Sequence, residues 1–178
     1  MPVITDASWL DLFDTFERTA IRLETQPAYL VDAEQEEYQR FLATGIVEDD
    51  EPDRRWRRQM RAARDTGRRV ARVRFVTEPP GDYQRYLFAC NRFNDEDGED
   101  IRYLTYRRAA ELCLPLADFW LFDDAVLLKM NFAEQGRPLD KELVDRDRAA
   151  AEQARVWLAL AMKHATPYRE LAREPSAS

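Results

Sequence analysis

Two strongly apolar runs meet at a pair of aspartates late in the chain, and this junction constrains the fold more than any other feature. Asp118-Phe-Trp-Leu-Phe-Asp-Asp124 is followed at once by Ala125-Val-Leu-Leu-Lys-Met-Asn-Phe132. Apolar and aromatic runs of this length, separated by turn-forming acids, predict a buried β-hairpin over 118–123 and 126–132. The remainder reads mostly helical, so the class mixes α and β, as α/β or α+β.

Trp9, Phe13, Phe16 and Ala20 recur at helical spacing behind a capping pattern that begins at Ser8, which predicts a helix over 9–21. Asp32 opens a second helix over 33–43, and Gly45 is its natural stop. The acidic stretch 48–51 with Pro52 reads as a loop. Asp53 then caps a third helix, 54–66, which Gly67 ends. Alternation marks 70–77 as a strand, and Pro80 opens a helix over 82–91. A short strand follows at 100–104, a short helix at 106–112, and after the hairpin a long alanine-rich helix over 142–164. This order predicts a small single-domain α/β sandwich with a mixed sheet of about four strands and helices at both ends. The domain spans 1–178, with its core at 8–168 and a frayed tail from 169 to 178.

The 178 residues are enough to bury a core, and 45% hydrophobic and 11% aromatic content excludes a disordered chain. No apolar run approaches the roughly 20 residues that cross a bilayer. The N-terminus lacks the charged and apolar regions of a signal peptide, so no membrane association and a cytoplasmic location are expected. Cys90 and Cys113 sit in apolar company and read as buried thiols rather than a disulfide framework. One histidine and two cysteines are too few for a zinc site, and no cofactor motif is present.

The charge is uneven. Residues 54–74 carry ten arginines against one acid, a local charge of +9, so the net −7 leaves −16 for the rest. Arg54, Arg57, Arg58, Arg61, Arg64 and Arg68 form one face of the third helix, opposite Trp56, Met60 and Ala63. Such a stripe can bind an anion or an acidic partner, or it can be a solvated face paired with the chain's own acids. The overall acidity argues against autonomous DNA binding, and that helix is where any direct contact with nucleic acid would fall.

A second set of polar residues flanks the expected strand ends, where ligands bind in open α/β sheets. Arg74, Glu78 and Tyr83 follow the first strand, Asn94, Glu99 and Arg102 surround the next, and Asp118 and Asp123 frame the hairpin. Together they form a candidate ligand pocket. Glu99, Asp118 and Asp123 offer oxygen ligands to a hard cation, but no diagnostic spacing relates them, and no metal is assigned. His164 lies late on the last long helix and Cys90 and Cys113 have no histidine nearby in sequence, so no catalytic residues are assigned.

Several phrases together resemble an actinobacterial domain-of-unknown-function family, number 6879. They are 16–25 (FERTAIRLET) with Tyr29, 72–79 (RVRFVTEP) with Tyr83, Asn94 through Gly98-Glu-Asp-Ile-Arg102, and Leu114 through Asp124. The likeness covers roughly residues 8–168. It implies a small stand-alone protein, often encoded beside Xre-type helix-turn-helix regulators, and it brings no established activity. A remoter likeness is to one half of a phospholipase D-like domain, whose His-x-Lys-x-x-x-x-Asp motif supplies nucleophile and phosphate clamp. With Asp123 as the final residue those places hold Leu116 and Asp118; with Asp124 they hold Ala117 and Phe119. Neither register supplies the chemistry.

The expectation is therefore a non-catalytic regulatory or interaction protein. It would be a partner of a helix-turn-helix transcription regulator or part of a toxin–antitoxin-like system, and would sense a small anionic ligand. The alternative is an enzyme acting on a nucleotide or other phosphate- or amine-bearing molecule through a carboxylate-lined cleft.

Overall fold

Thr19–Glu24 decides the architecture. In the computed structural model, which describes residues 3–5, 7–49 and 54–173, this segment is a central strand, β2, rather than the end of a helix. It pairs parallel with β3 (Arg69–Val76) on one side and antiparallel with β5 (Asp118–Phe122) on the other. The expected helix over 9–21 is reduced to a 3-10 turn at Ala7–Asp11 and one helical turn, α1 (Leu12–Thr15). The spacing of Phe13, Phe16 and Ala20 imitated a helical face. The three residues come from a helical turn, an extended link and a strand, and all bury in one cluster.

Five further strands complete the sheet: β1 (Val3–Ile4), β4 (Asp100–Thr105), β6 (Val126–Phe132), β7 (Pro138–Val144) and β8 (Thr166–Pro167). Their order is β1-β7-β6-β5-β2-β3-β4-β8. The chain is therefore one eight-stranded mixed sheet flanked by helices, which replaces the small sandwich of about four strands expected from sequence. Strand β2 hid behind helix-forming residues. Strand β7 hid because Pro138 and the run Asp140-Lys-Glu142 read as loop and helix start, although proline is tolerated at the first residue of a strand. The last long helix consequently begins later than expected, at α6 (Arg148–His164), where the Asp147 carboxylate accepts from the Ala150 amide at 3.0 Å.

The remaining helices are α2 (Gln35–Thr44), α3 (Arg55–Asp65), α4 (Asp82–Glu96), α5 (Tyr106–Glu111) and α7 (Tyr168–Leu171). Strands have a period of two, so each presents two different faces. One face, with Leu23, Val73, Phe75, Leu104, Phe119 and Leu121, packs under α5 and α6, whose Ala151, Ala154 and Ala161 permit close approach. The other face is covered by α1, α3 and α4. There Phe13, Met60, Trp120, Phe122 and Leu128 form one apolar cluster, and Tyr29, Tyr83 and Tyr86 form another. Between these two clusters the sheet carries charge. Asp53 as a helix cap and residues 174–178 lie outside the described residues, and the expected frayed tail from 169 begins instead within a helix, α7. Among the described residues no helix is long and apolar enough to cross a membrane.

Candidate functional site

Register places the charges. Arg22 stands opposite Arg72 across the parallel β2–β3 pair, and Glu24 stands opposite Arg74. On the other side Arg22 is opposite Trp120, two residues along β5 from Asp118. These side chains share the sheet face that lies under α3 and α4. All the charged ones are buried: Arg22 and Arg72 are 8% exposed, Arg74 and Glu24 3%, and Asp118 5%.

Buried charges persist only when paired and hydrogen-bonded. Glu24 binds all three arginines, through Oε1 to Arg22 Nη1 at 3.2 Å and Arg72 Nη1 at 3.5 Å, and through Oε2 to Arg74 Nε at 2.5 Å. Arg72 Nε donates to Glu99 at 2.6 Å, and Arg22 Nη2 donates to Asp118 at 3.2 Å. Asp118 also accepts from the Thr25 amide and hydroxyl, both at 2.7 Å, and from the Tyr29 hydroxyl at 2.5 Å. Burial opposes the charge of Glu24, but attraction to Arg22, Arg74 and Arg72 outweighs it and holds the carboxyl well below the usual range. Burial likewise opposes the charges of Arg22 and Arg74, and Glu24 leads the attractions that raise both above the ordinary guanidinium value. The guanidinium groups of Arg22 and Arg72 also lie over the Trp120 ring, at 5.9 and 5.8 Å.

The charged row is the floor of a cleft of about 450 Å³. One wall comes from the entry to α2 and from α4, with Glu34, Glu37, Tyr86, Cys90, Asn91 and Asn94. The facing wall comes from Trp9, Leu10, Trp56 and Arg57. A second hollow, about 330 Å³, shares Arg22, Arg72, Arg74 and Glu34 with the first and reaches Tyr29, Tyr83 and Phe132. With its amide turned to satisfy its surroundings, Asn91 accepts from Arg74 Nη1 at 3.3 Å and donates to the Leu87 carbonyl at 3.1 Å. Tyr83 donates to Glu34 at 2.8 Å and Tyr86 donates to Glu37 at 2.9 Å. Burial raises the Glu34 carboxyl above its ordinary value, an effect that the Tyr83 hydrogen bond and Arg74 only partly offset.

Not every buried polar atom of the floor is satisfied. Among the described residues, Arg22 Nε and Trp120 Nε1, both donors on cleft-lining residues, have no hydrogen-bond partner, and neither has Glu99 Oε2. A buried group in that condition typically costs about 1–3 kcal/mol, so such groups point to an occupant or a function.

The candidate residues read from sequence separate into two groups. Arg74, Glu99 and Asp118 belong to the floor network, while Tyr83 and Asn94 line its walls. The others lie elsewhere. Glu78 is exposed and lies 3.6 Å from Arg107. Arg102 faces the opposite side of the sheet, bound to Asp100 and the Met162 carbonyl. Asp123 sits at the hairpin turn, where its carboxylate accepts from the amides of Glu17, Arg18 and Thr19 at 2.8, 2.7 and 2.9 Å. Glu99, Asp118 and Asp123 thus share no cation site.

The arginine stripe on α3 is largely engaged by the chain itself. Arg57 binds Asp97 and Asp49, Arg61 binds Asp97, and Arg64 binds Asp65 and the Glu96 carbonyl. Arg68 donates to the Phe16 carbonyl and lies over that residue's ring. Arg54 and Arg58 are exposed, and Arg54 reaches the cleft mouth. Cys90 lines the cleft, but burial, aided by Glu37, pushes its thiol up to about 12, so it stays protonated and is no nucleophile at neutral pH. His164 is remote from the cleft, 3.3 Å from Arg108.

Sequence reasoning missed Arg22, Glu24 and Arg72 as site residues. Their signal was the alternation Arg22-Leu-Glu24 and Arg72-Val-Arg74, charge at every second position of strands whose intervening residues are apolar. In a central strand that pattern places charge on a buried face.

The chain matches the family described as Domain of unknown function (DUF6879) over residues 7–173. It belongs to that family. No curated protein matches the chain. Among solved structures, the crystal structure of the phosphatidylserine synthase of Haemophilus influenzae Rd KW20 is similar, with a TM-score of 0.46 and 12% identity. That match covers 94% of this DUF6879 chain and 39% of the synthase. At such identity and score it says nothing about activity.

Proposed function

We propose that this DUF6879 protein recognises the anionic group of a small molecule in the arginine-floored cleft and catalyses no reaction on it. It acts as a regulatory or interaction protein of the cytoplasm, and its partner is a helix-turn-helix transcription regulator of an actinobacterial host or a toxin–antitoxin-like protein. The observation that carries this reading is the floor itself, where three buried guanidinium groups converge and two donors, Arg22 Nε and Trp120 Nε1, are left open. Arginine forks in a desolvated site suit carboxylate or phosphate. The Glu24 carboxylate that they share is held as an ion by those arginines and is a poor acid or base. The partner half of the reading rests on the family likeness and on the uneven charge of the chain.

Glu34 favours a second reading, an enzyme acting on a nucleotide or other phosphate- or amine-bearing substrate. Its raised pKa and its place on the cleft wall are what a general acid requires.

One experiment separates the two. Native mass spectrometry of the protein purified from its own host is expected to show a bound small anion, released on denaturation and lost in Arg72→Gln. On re-incubation with the protein that molecule is expected to remain unchanged. Its conversion would establish the enzyme, and a protein that captures no small molecule would remove the sensor.

A further inference from the structure

The lining of the cleft is bipolar, and this narrows the ligand. Among the described residues its floor presents donors that lack acceptors, while the wall at the start of α2 presents carboxylates bound by phenols rather than by a paired cation. Glu34 and Glu37 receive hydrogen bonds from neutral phenols, those of Tyr83 and Tyr86, whereas the floor carboxylates Glu24, Glu99 and Asp118 are each bound by an arginine. Glu34 lines both hollows, as do Arg22, Arg72 and Arg74. Among the described residues the larger hollow is lined by six arginines and five carboxylates. With Glu24, Glu99 and Asp118 bound beneath the floor, the surroundings carry no excess of positive charge. A multiply charged anion gains little from such a lining. A molecule with both signs of charge meets opposite charge at each end.

We infer that the cleft takes a small molecule carrying both a phosphate and an ammonium group, the phosphate over the guanidinium floor of Arg22, Arg72 and Arg74 and the ammonium against Glu34 and Glu37. This rests on the anion-recognition reading above and adds the second charge to it. Phosphate suits the floor because its three terminal oxygens accept in several directions, which matches guanidinium donors on two strands and the indole N–H of Trp120 on a third. The ammonium gives the half-buried Glu34, which feels Arg74 and Arg54 only at a distance, a direct cation partner, and desolvation strengthens that contact.

Isothermal titration calorimetry with O-phosphoethanolamine, inorganic phosphate and ethanolamine tests this on the full chain. O-Phosphoethanolamine is expected to bind more tightly than phosphate by about tenfold, the usual worth of one buried charge-assisted hydrogen bond. Glu34→Gln should erase that advantage by weakening O-phosphoethanolamine, without weakening the binding of phosphate. Trp120→Phe, which keeps the ring and removes the donor, should weaken both phosphate ligands alike. Equal binding of phosphate and O-phosphoethanolamine to the unmodified protein would overturn the ammonium site and leave anion recognition standing. Failure of both to bind would overturn the two together. Thermal melts of both variants establish that each is folded.

Discussion

Arg22 and Arg72 stand directly opposite each other on adjacent parallel strands, both buried. Like charges in that relation repel, and in a desolvated setting the repulsion is large. Glu24 resolves it by placing one carboxylate oxygen 3.2 Å from the first guanidinium and 3.5 Å from the second. Glu24 is thus the acid that both guanidinium groups share, with Asp118 on Arg22 and Glu99 on Arg72 completing the network.

Replacing Glu24 with glutamine keeps the shape and removes the charge, leaving Arg74 without its carboxylate partner and Arg22 and Arg72 with one each. The expected loss is about 3–5 kcal/mol, the range for breaking a buried ion pair by removing one partner. Urea denaturation followed by tryptophan fluorescence reads it, and a loss under about 1 kcal/mol, the worth of an exposed pair, would contradict the network as described.

The acid limb of stability follows from the direction of the carboxyl shifts. Glu24, Asp100 and Asp123 have lowered values in the folded protein, so their contributions are complete above the unfolded carboxylate range and fall away as the pH drops below it. Glu34 has the opposite sign. Its raised value costs stability at neutral pH, and the cost disappears as the pH falls through its folded value and then the unfolded one. Glu34→Gln is therefore expected to melt higher than the parent at pH 7, with the gain shrinking toward pH 4. Thermal melts across that range check both signs.

The two thiols should differ in reactivity. Cys113 is exposed, whereas Cys90 is half-buried with its thiol pushed up to about 12. Iodoacetamide at pH 8 should label Cys113 and spare Cys90, read by peptide mass spectrometry. Rapid labelling of Cys90 would mean that the cleft holds an activated sulfur, and with it nucleophilic chemistry.

Asp123 is expected to matter for folding and not for binding. It caps three backbone amides, and its backbone lies in the left-handed region at φ 52°, which aspartate and asparagine tolerate better than alanine. Asp123→Ala should cost about 2 kcal/mol, consistent with hydrogen bonds to a charged group. Asp123→Asn should recover part of that, and neither variant should alter ligand affinity.

How far the sequence was legible can be judged residue by residue. The strand at Arg69–Val76 and the pairing of Asp118–Phe122 with Val126–Phe132 declare themselves because apolar residues fill consecutive or alternate positions. The size of the sheet did not declare itself. Four of the six residues of Thr19–Glu24 (Ala20, Arg22, Leu23 and Glu24) favour helices, and its parallel neighbour lies some 50 residues away, so tertiary pairing makes it a strand. The strand Pro138–Val144, second from one margin, carries three consecutive charges, Asp140-Lys-Glu142, and imitates a loop. In the site, Arg74, Glu99 and Asp118 stood out as charges at strand ends. Arg22 and Glu24 did not, because a residue wrongly placed on a helix cannot be assigned to a sheet face. The convergence of Glu34 and Glu37 on the same cleft depends on how α2 lies against α4, which no local pattern encodes.

The sheet ends at both margins in strands of only two residues, Val3–Ile4 and Thr166–Pro167. Margins so brief expose little unpaired main chain, and proline closes one of them. Fibril-like stacking of copies onto those two short strands finds little footing.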